Sequence, residues 1–218
     1  MTFLKQELID AGFKVQEPVD QILVVEDFIS DEELAAFWNI IENTPEEDWL
    51  IHYRKQLKDF CMEKFGRDDV ENLVEEGKYE ITQGWDDKNL LVSHTDVAIS
   101  VTERLSNLIK LSHGARLHLT FGIFQRMQEG TQLKAHTDQH TDPSIEYAAV
   151  LYLNDDYTDG EVFWPNKGLE LKPKPKTLVI FPGTDEYHHG VKHVGKGPIR
   201  YVMPAFIKVA NFYSYNKY

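Results

Sequence analysis

The sequence predicts an α+β chain in which N-terminal helices support a β-sandwich core of the jelly-roll or barrel type. Three observations lead there. Through about residue 112, apolar side chains recur mainly at helical spacing, with one early strand. From Arg116 onward the period falls to two, and turn residues cut this second half at short intervals. The 218 residues contain no internal repeat, no low-complexity tract and no Pro/Gly/Ser linker. The whole chain, 1–218, therefore reads as one domain, with 1–112 as mainly helical support and 113–218 as the β-rich core.

The early strand is Ile22–Phe28, rich in β-branched residues and stopped at Ser30. Ser30 and Glu33 stand at capping-box spacing, so a helix begins there, with Leu34, Phe37, Trp38 and Ile41 on its apolar face. A second helix is expected over 96–110, where Val97, Val101, Leu105, Leu108 and Ile109 share one face. Leu117, Leu119, Phe121 and Ile123 then alternate with His118, Thr120 and Gly122, giving a strand that runs to Phe124. Further strands are expected at Tyr147–Leu153, Glu161–Trp164, Thr177–Phe181 and Ile199–Val209. Asn154-Asp155, Asn166-Lys167-Gly168, Pro182-Gly183 and Gly197-Pro198 supply the turns between them.

Charge narrows the partners. With 23 Lys+Arg against 36 Asp+Glu, the net charge of −13 repels phosphate backbones and argues against nucleic acid. A neutral or basic peptide, or a small molecule, suits such a surface better, although acidity also serves solubility alone. Cys61 is the single cysteine and closes no internal disulfide. The first residues carry charge throughout, and no stretch nears the roughly 20 apolar residues of a membrane span. The expectation is a cytoplasmic protein without a membrane partner. Nothing in the sequence sets the oligomeric state.

The chemistry-bearing feature is His-Thr-Asp, which occurs at His94–Asp96, His136–Asp138 and His140–Asp142. On an extended backbone, residues i and i+2 face the same way, so an imidazole and a carboxylate can reach one metal. A second histidine from another strand would complete a two-His-one-carboxylate face with coordination positions left open. The motif alone does not choose among its copies. His94–Asp96 sits where the second helix starts, and reads as a cap. His140–Asp142 runs into Pro143 and reads as a loop. His136 and His140 are also four apart, as in a helical zinc pair, but the Thr/Asp/Pro composition argues against a helix there. His136–Asp138 alone follows a strand and the Gly130 turn and precedes another strand.

Five ordered elements from Phe124 to Phe206 resemble the catalytic domain of the prolyl 4-hydroxylase-type 2-oxoglutarate/Fe(II) oxygenases. They are Gly130 through His136-Thr-Asp138, Ala148 through Tyr152-Leu153-Asn154-Asp155, Asp159-Gly160-Glu161 through Pro165, Leu171 through Phe181-Pro182, and His189 through Val194 to Arg200. The resemblance implies a double-stranded β-helix as the catalytic core. It implies Fe(II) on His136, Asp138 and His189. Gly130 precedes His136 by the family's interval, and counting back from Val194 selects His189 over His188. It also implies 2-oxoglutarate and O₂ as cosubstrates, with ascorbate as a candidate accessory reductant. Arg200, helped by Tyr152, would hold the distal carboxylate of 2-oxoglutarate.

The activity so implied is hydroxylation of an aliphatic C–H, first of all in a peptidyl proline, with decarboxylation of 2-oxoglutarate to succinate. A free amino acid or other small molecule is the alternative substrate, and a non-catalytic cupin-like metal-binding module is the alternative class. The chain departs from the family pattern at several positions. Met127 and Leu133 stand where tyrosines are frequent, Asp159 and Lys176 where glycines are frequent. Val162 follows Glu161, His193 replaces a proline, and Pro204 interrupts the last strand.

Overall fold

The computed structural model describes residues 2–46, 49, 62–63, 65–69, 72–73, 76, 90–92, 96–113, 117–119, 123–141 and 143–209. Helix α1 (Thr2–Asp10) is followed by strands β1 (Lys14–Val19) and β2 (Ile22–Glu26) and by helix α2 (Asp31–Asn43). Strand β3 (Leu90–Val92), helix α3 (Asp96–His113), β4 (Leu117–Leu119), β5 (Ile123–Met127) and β6 (Leu133–His136) come next. A one-turn helix α4 (Asp138–Thr141) leads into β7 (Ile145–Tyr152), β8 (Val162–Trp164), β9 (Leu169–Leu171), β10 (Leu178–Pro182), β11 (His189–Val191) and β12 (Arg200–Val209).

Two antiparallel sheets result. The larger runs β1-β2-β10-β7-β12-β5-β3, with β4 also paired to β12, and the smaller runs β6-β11-β8-β9. Facing one another they form the double-stranded β-helix. The large sheet is buried on both faces, so its central strand β10 is apolar and buried throughout, with alternate residues meeting different partners. Ile22, Ala148, Tyr152, Val179, Phe181 and Val202 pack toward the small sheet, against its Val162 and Trp164. Their neighbours Leu23, Val25, Ala149, Leu151, Leu178, Ile180, Met203 and Ala205 pack the other way, against Leu4 and Leu8 of α1, Phe37 and Ile41 of α2, and Val101 and Leu105 of α3. Each such Leu or Ile contributes about 2 kcal/mol of burial, so a one-residue slip of register would forfeit both layers.

The capping box at Ser30 is formed: Glu33 N–H donates to Ser30 Oγ (3.2 Å) and Ser30 N–H to Glu33 Oε2 (2.9 Å). Arg104 of α3 donates to the Phe28 carbonyl (2.8 Å) and pairs with Glu33, so both supporting helices are locked to the end of β2.

Some expectations need correction. The N-terminal region holds two early strands, not one. β1 pairs with β2 in antiparallel register, with an irregularity between Gln16 and Val19, around Pro18. Its polar sequence, half exposed along its length, hid it from a hydrophobicity argument. The strand expected over Leu117–Phe124 comprises β4 and the start of β5; residues 120–122 lie outside the described residues. Pro204 does not interrupt the last strand. Leu153 N–H donates to the Tyr201 carbonyl (3.1 Å), so odd-numbered residues of β12 face β7. Pro204, opposite Val150, turns its nitrogen away from β7 and removes no hydrogen bond from that ladder. The composition of residues 136–142 argued against a helix, yet α4 makes one turn there. Four residues need no sustained helix propensity when their ends are tied. Gln139 N–H donates to the Gly183 carbonyl (3.2 Å) and Gln139 Nε2 to the Ile145 carbonyl (2.9 Å).

Candidate metal and carboxylate site

His136 and His189 lie on paired strands of the small sheet. They are Cα partners in the β6–β11 register, which brings their rings to 4.7 Å between centroids. Asp138 joins them by a route other than the one the sequence suggested. His136 ends β6 and Asp138 opens α4, so the two are not consecutive same-face residues of one strand; the chain turns at Thr137. Gly183 permits the approach of this turn. A Cβ there would lie 3.0 Å from Ile145 Cγ2 and from the Ile145 carbonyl oxygen, and 3.6 Å from Asp138 Cβ. Thr137, itself buried, donates from Oγ1 to Asp185 Oδ1 (3.1 Å), which ties the turn to the segment leading into β11.

The hydrogen bonds assign the imidazole tautomers. His136 Nδ1 is 2.9 Å from the Lys134 carbonyl and His189 Nδ1 is 3.2 Å from the Tyr187 carbonyl. A carbonyl only accepts, so each Nδ1 carries its proton and each Nε2 keeps a free lone pair. Both Nε2 atoms point to Asp138, at 3.9 Å from Oδ1 for His136 and 3.9 Å from Oδ2 for His189. These distances are too long for hydrogen bonds, and the rings are uncharged. Burial lowers the pKa of His136, and burial followed by the neighbouring His136 lowers that of His189 to about 3.

Asp138 is starved in the complementary sense. Burial raises its pKa to about 7, and its Oδ2 is buried without a hydrogen-bond partner. Two neutral Nε2 donors and one unsatisfied carboxylate, all within 4.8 Å of one another, are the donor set of a divalent transition metal. Among the described residues no other group of three or more such side chains converges in this way. Phe181 stands edge-on to His189 at 4.5 Å and Trp164 lies at 6.4 Å, so an aromatic wall excludes water behind the ring.

The other predicted residues fall on the inner face of the large sheet. Arg200 opens β12 and is 1% exposed; Tyr152 ends β7 and is also 1% exposed. The guanidinium carbon lies 5.2 Å from the Tyr152 ring centroid. Among the described residues no carboxylate pairs with Arg200. Its Nη1 donates to the Met127 sulfur at 3.6 Å, and its Nε has no partner. A cation so placed is costly unless an anion joins it. The departures at positions 127 and 133 are related in space, because Met127 and Leu133 pack together with Val191 and Val194. Two frequent hydroxyl positions have become one apolar contact.

The decoys separate. His140 is exposed and lies 3.4 Å, Nε2 to Oδ1, from Asp185; His188 is half-buried beside Tyr187 and outside the cluster. His94 lies outside the described residues. Sequence reasoning missed the orphaned phenol of Tyr157, the Thr137–Asp185 tie and the Trp164 wall. Thr137 and Trp164 lie inside quoted motifs and Tyr157 lies in none, but only the fold shows what each of them touches.

Residues 122–208 match the model of the 2OG-Fe(II) oxygenase superfamily. The matched segment holds His136, Asp138, His189 and Arg200. No curated protein matches the chain in sequence. Among solved structures, the chain is similar to the viral collagen prolyl hydroxylase of Paramecium bursaria Chlorella virus-1 in its 2OG complex, with a TM-score of 0.59 and 14% identity over 88% of this chain and 97% of that one. It is similar also to a Pseudomonas putida prolyl-4-hydroxylase (TM-score 0.57, 14% identity, 95% and 100% covered). A third is the Trichoplax adhaerens prolyl hydroxylase in complex with a hypoxia inducible factor oxygen degradation domain peptide fragment (0.58, 13%, 95% and 91%). At such identities the likeness is one of fold. Fold and family match together support a 2-oxoglutarate-dependent dioxygenase.

Proposed function

We propose that this chain, acting as a single domain, is an Fe(II)- and 2-oxoglutarate-dependent hydroxylase of an aliphatic C–H bond, with peptidyl proline as the substrate. The observation that carries the reading is the pairing of two unmet demands in one barrel. One is a buried carboxylate oxygen without a hydrogen-bond partner beside two neutral imidazoles. The other is a buried guanidinium that no carboxylate among the described residues pairs. A dicarboxylate bound to a metal answers both.

His136, Asp138 and His189 would hold Fe(II), and Arg200 with Tyr152 would receive the distal carboxylate of 2-oxoglutarate. When bound, iron supplies the oxygen activation that couples loss of CO₂ from 2-oxoglutarate to insertion of one oxygen atom into the substrate C–H bond. The protein orients the oxo-acid by a guanidinium whose planar fork matches a carboxylate. The aromatic wall of Trp164 and Phe181 keeps bulk water from the reacting groups. Buried Tyr152 has its pKa raised by desolvation, so its hydroxyl stays a neutral donor at physiological pH.

The net charge of −13 favours a neutral or basic peptide over an acidic one. Among the described residues no helix is long and apolar enough to cross a membrane. The test is anaerobic addition of Fe(II) and 2-oxoglutarate, which should give a weak visible charge-transfer band. It is followed in air by a mass-spectrometric screen of proline-rich peptides and free amino acids for the gain of one oxygen atom. A product only among free amino acids would move the substrate to that class; no band and no succinate would leave a non-catalytic metal-binding module. Ascorbate is expected to raise the number of turnovers without being required for the first.

A further inference from the structure

We infer that Tyr157 is a positioning residue whose phenolic hydroxyl donates, alongside Arg200, to the distal carboxylate of the oxo-acid cosubstrate. The inference rests on the reading of Arg200 given above, and adds a residue that neither the motif pattern nor the resemblance marks.

Three independent observations place Tyr157 in that role. The first is its unmet chemistry. Tyr157 is 1% exposed, and its hydroxyl is buried with no hydrogen-bond partner. A buried hydroxyl left without a partner destabilises the fold. The second is its neighbour. The Arg200 guanidinium carbon is 5.7 Å from the Tyr157 ring centroid, as it is 5.2 Å from that of Tyr152. The cation is flanked by two phenols, and the nearest soft acceptor is a methionine sulfur. The guanidinium and the two phenols beside it can all donate, and with no carboxylate among them they form a cradle for an anion with several lone pairs; a carboxylate is the compact group of that kind.

The third observation is that the loop is constructed to hold Tyr157 there. Asn154 Nδ2 donates to the Ile199 carbonyl (2.7 Å), and Tyr201 N–H donates to Asn154 Oδ1 (2.8 Å). One side chain thus grips the residues on either side of Arg200 and fixes the start of the loop against them. Further along, Lys172 Nζ donates to the Tyr157 carbonyl and lies 4.7 Å from its ring. Gly160 has φ +70°, and a Cβ there would come within 3.3 Å of Tyr157 Cδ2 and 3.1 Å of Val194 Cγ2. The left-handed turn clears space for the ring. Desolvation raises the phenol pKa, so the group remains a donor.

Calorimetric titration of the Mn(II)-loaded protein tests this without turnover, using 2-oxoglutarate and 2-oxobutyrate, which lacks the distal carboxylate. The wild type should bind 2-oxoglutarate far more tightly. Tyr157→Phe should weaken 2-oxoglutarate about tenfold and leave 2-oxobutyrate unchanged. The metal-free variant should melt no lower than the wild type, because an unsatisfied hydroxyl has been removed. Equal binding of the two oxo-acids by the wild type would overturn the Arg200 reading itself. Discrimination by the wild type with undiminished 2-oxoglutarate binding in Tyr157→Phe would overturn only the role of Tyr157. So would equal weakening of both oxo-acids, or a lowered melting temperature, since either marks a structural hydroxyl.

Discussion

His189 and His136 are register partners across the β6–β11 ladder, with their rings 4.7 Å apart. The metal face is therefore set by strand pairing before any metal arrives. Gly190 guards that pairing. A Cβ at this position would lie 2.6 Å from the Leu133 carbonyl oxygen and 2.9 Å from the Phe163 ring, both parts of the strands that flank β11. Gly190→Ala is expected to destabilise the fold by about 2 kcal/mol or more and to weaken metal binding with it. Chemical denaturation and Mn(II) titration would measure the two effects, and a change in neither would show that the ladder gives way freely.

Removing a ligand acts differently. Asp138→Ala and His189→Ala should fold, since each loses a group that is unsatisfied or neutral in the metal-free state. Both should lose iron-dependent succinate formation. Full turnover by either would remove that residue from the triad.

Metal affinity should depend on pH through Asp138. Its pKa is raised to about 7 by burial, so below that pH the metal-free protein holds a proton that the cation must displace. The histidines are shifted the other way and are already neutral there. Binding should therefore weaken about tenfold per pH unit below 7 and level off above it, with about one proton released per metal. Titrations in buffers of different ionisation enthalpy would count that proton.

Arg200→Met separates binding from stability. The variant should raise the KM for 2-oxoglutarate by about 100-fold or more. Its metal-free form should melt at or above the wild-type temperature, because an uncompensated buried charge has been exchanged for apolar volume. A large fall in melting temperature would mean that the guanidinium serves the fold.

Lys176 offers a contrast to Gly190. It adopts φ +68° where the resembled family has glycine, and Asp159, the other glycine substitute, adopts φ +54°. Side-chain-bearing residues occupy such conformations only at a cost. Lys176 Nζ lies 2.9 Å from both Asp27 and Asp31, but these partners are exposed and contribute little. Lys176→Gly should leave the melting temperature unchanged or slightly raised, as thermal unfolding would report.

The resemblance named His136, Asp138, His189, Arg200 and Tyr152 through short motifs in a fixed order, and the structure brings the first three together. Apolar runs between turn residues located the β7, β8, β10 and β12 cores, since two-sided burial calls for an apolar side chain at most positions. β1 left none, being a polar edge strand paired on one side. The path from His136 to Asp138 was misread because the convergence of the pair depends on Gly183 and Gln139, contacts from outside the motif. Tyr157 was invisible for the same reason. An aromatic residue in an acidic loop looks like any other until Asn154 fixes where the loop begins.

The unneutralised guanidinium has a consequence for the lifetime of the protein in a cell. A ligand that binds only the folded chain shifts unfolding by mass action, by about 2.7 kcal/mol at a hundred times its Kd. On the proposed reading the ligand would also neutralise the buried Arg200 guanidinium, which no carboxylate among the described residues pairs. Abundance of the protein would then follow the supply of oxo-acid and iron, with the starved form opening more often and falling sooner to proteases. The site would act on the chain's survival as a gauge of its own feedstock.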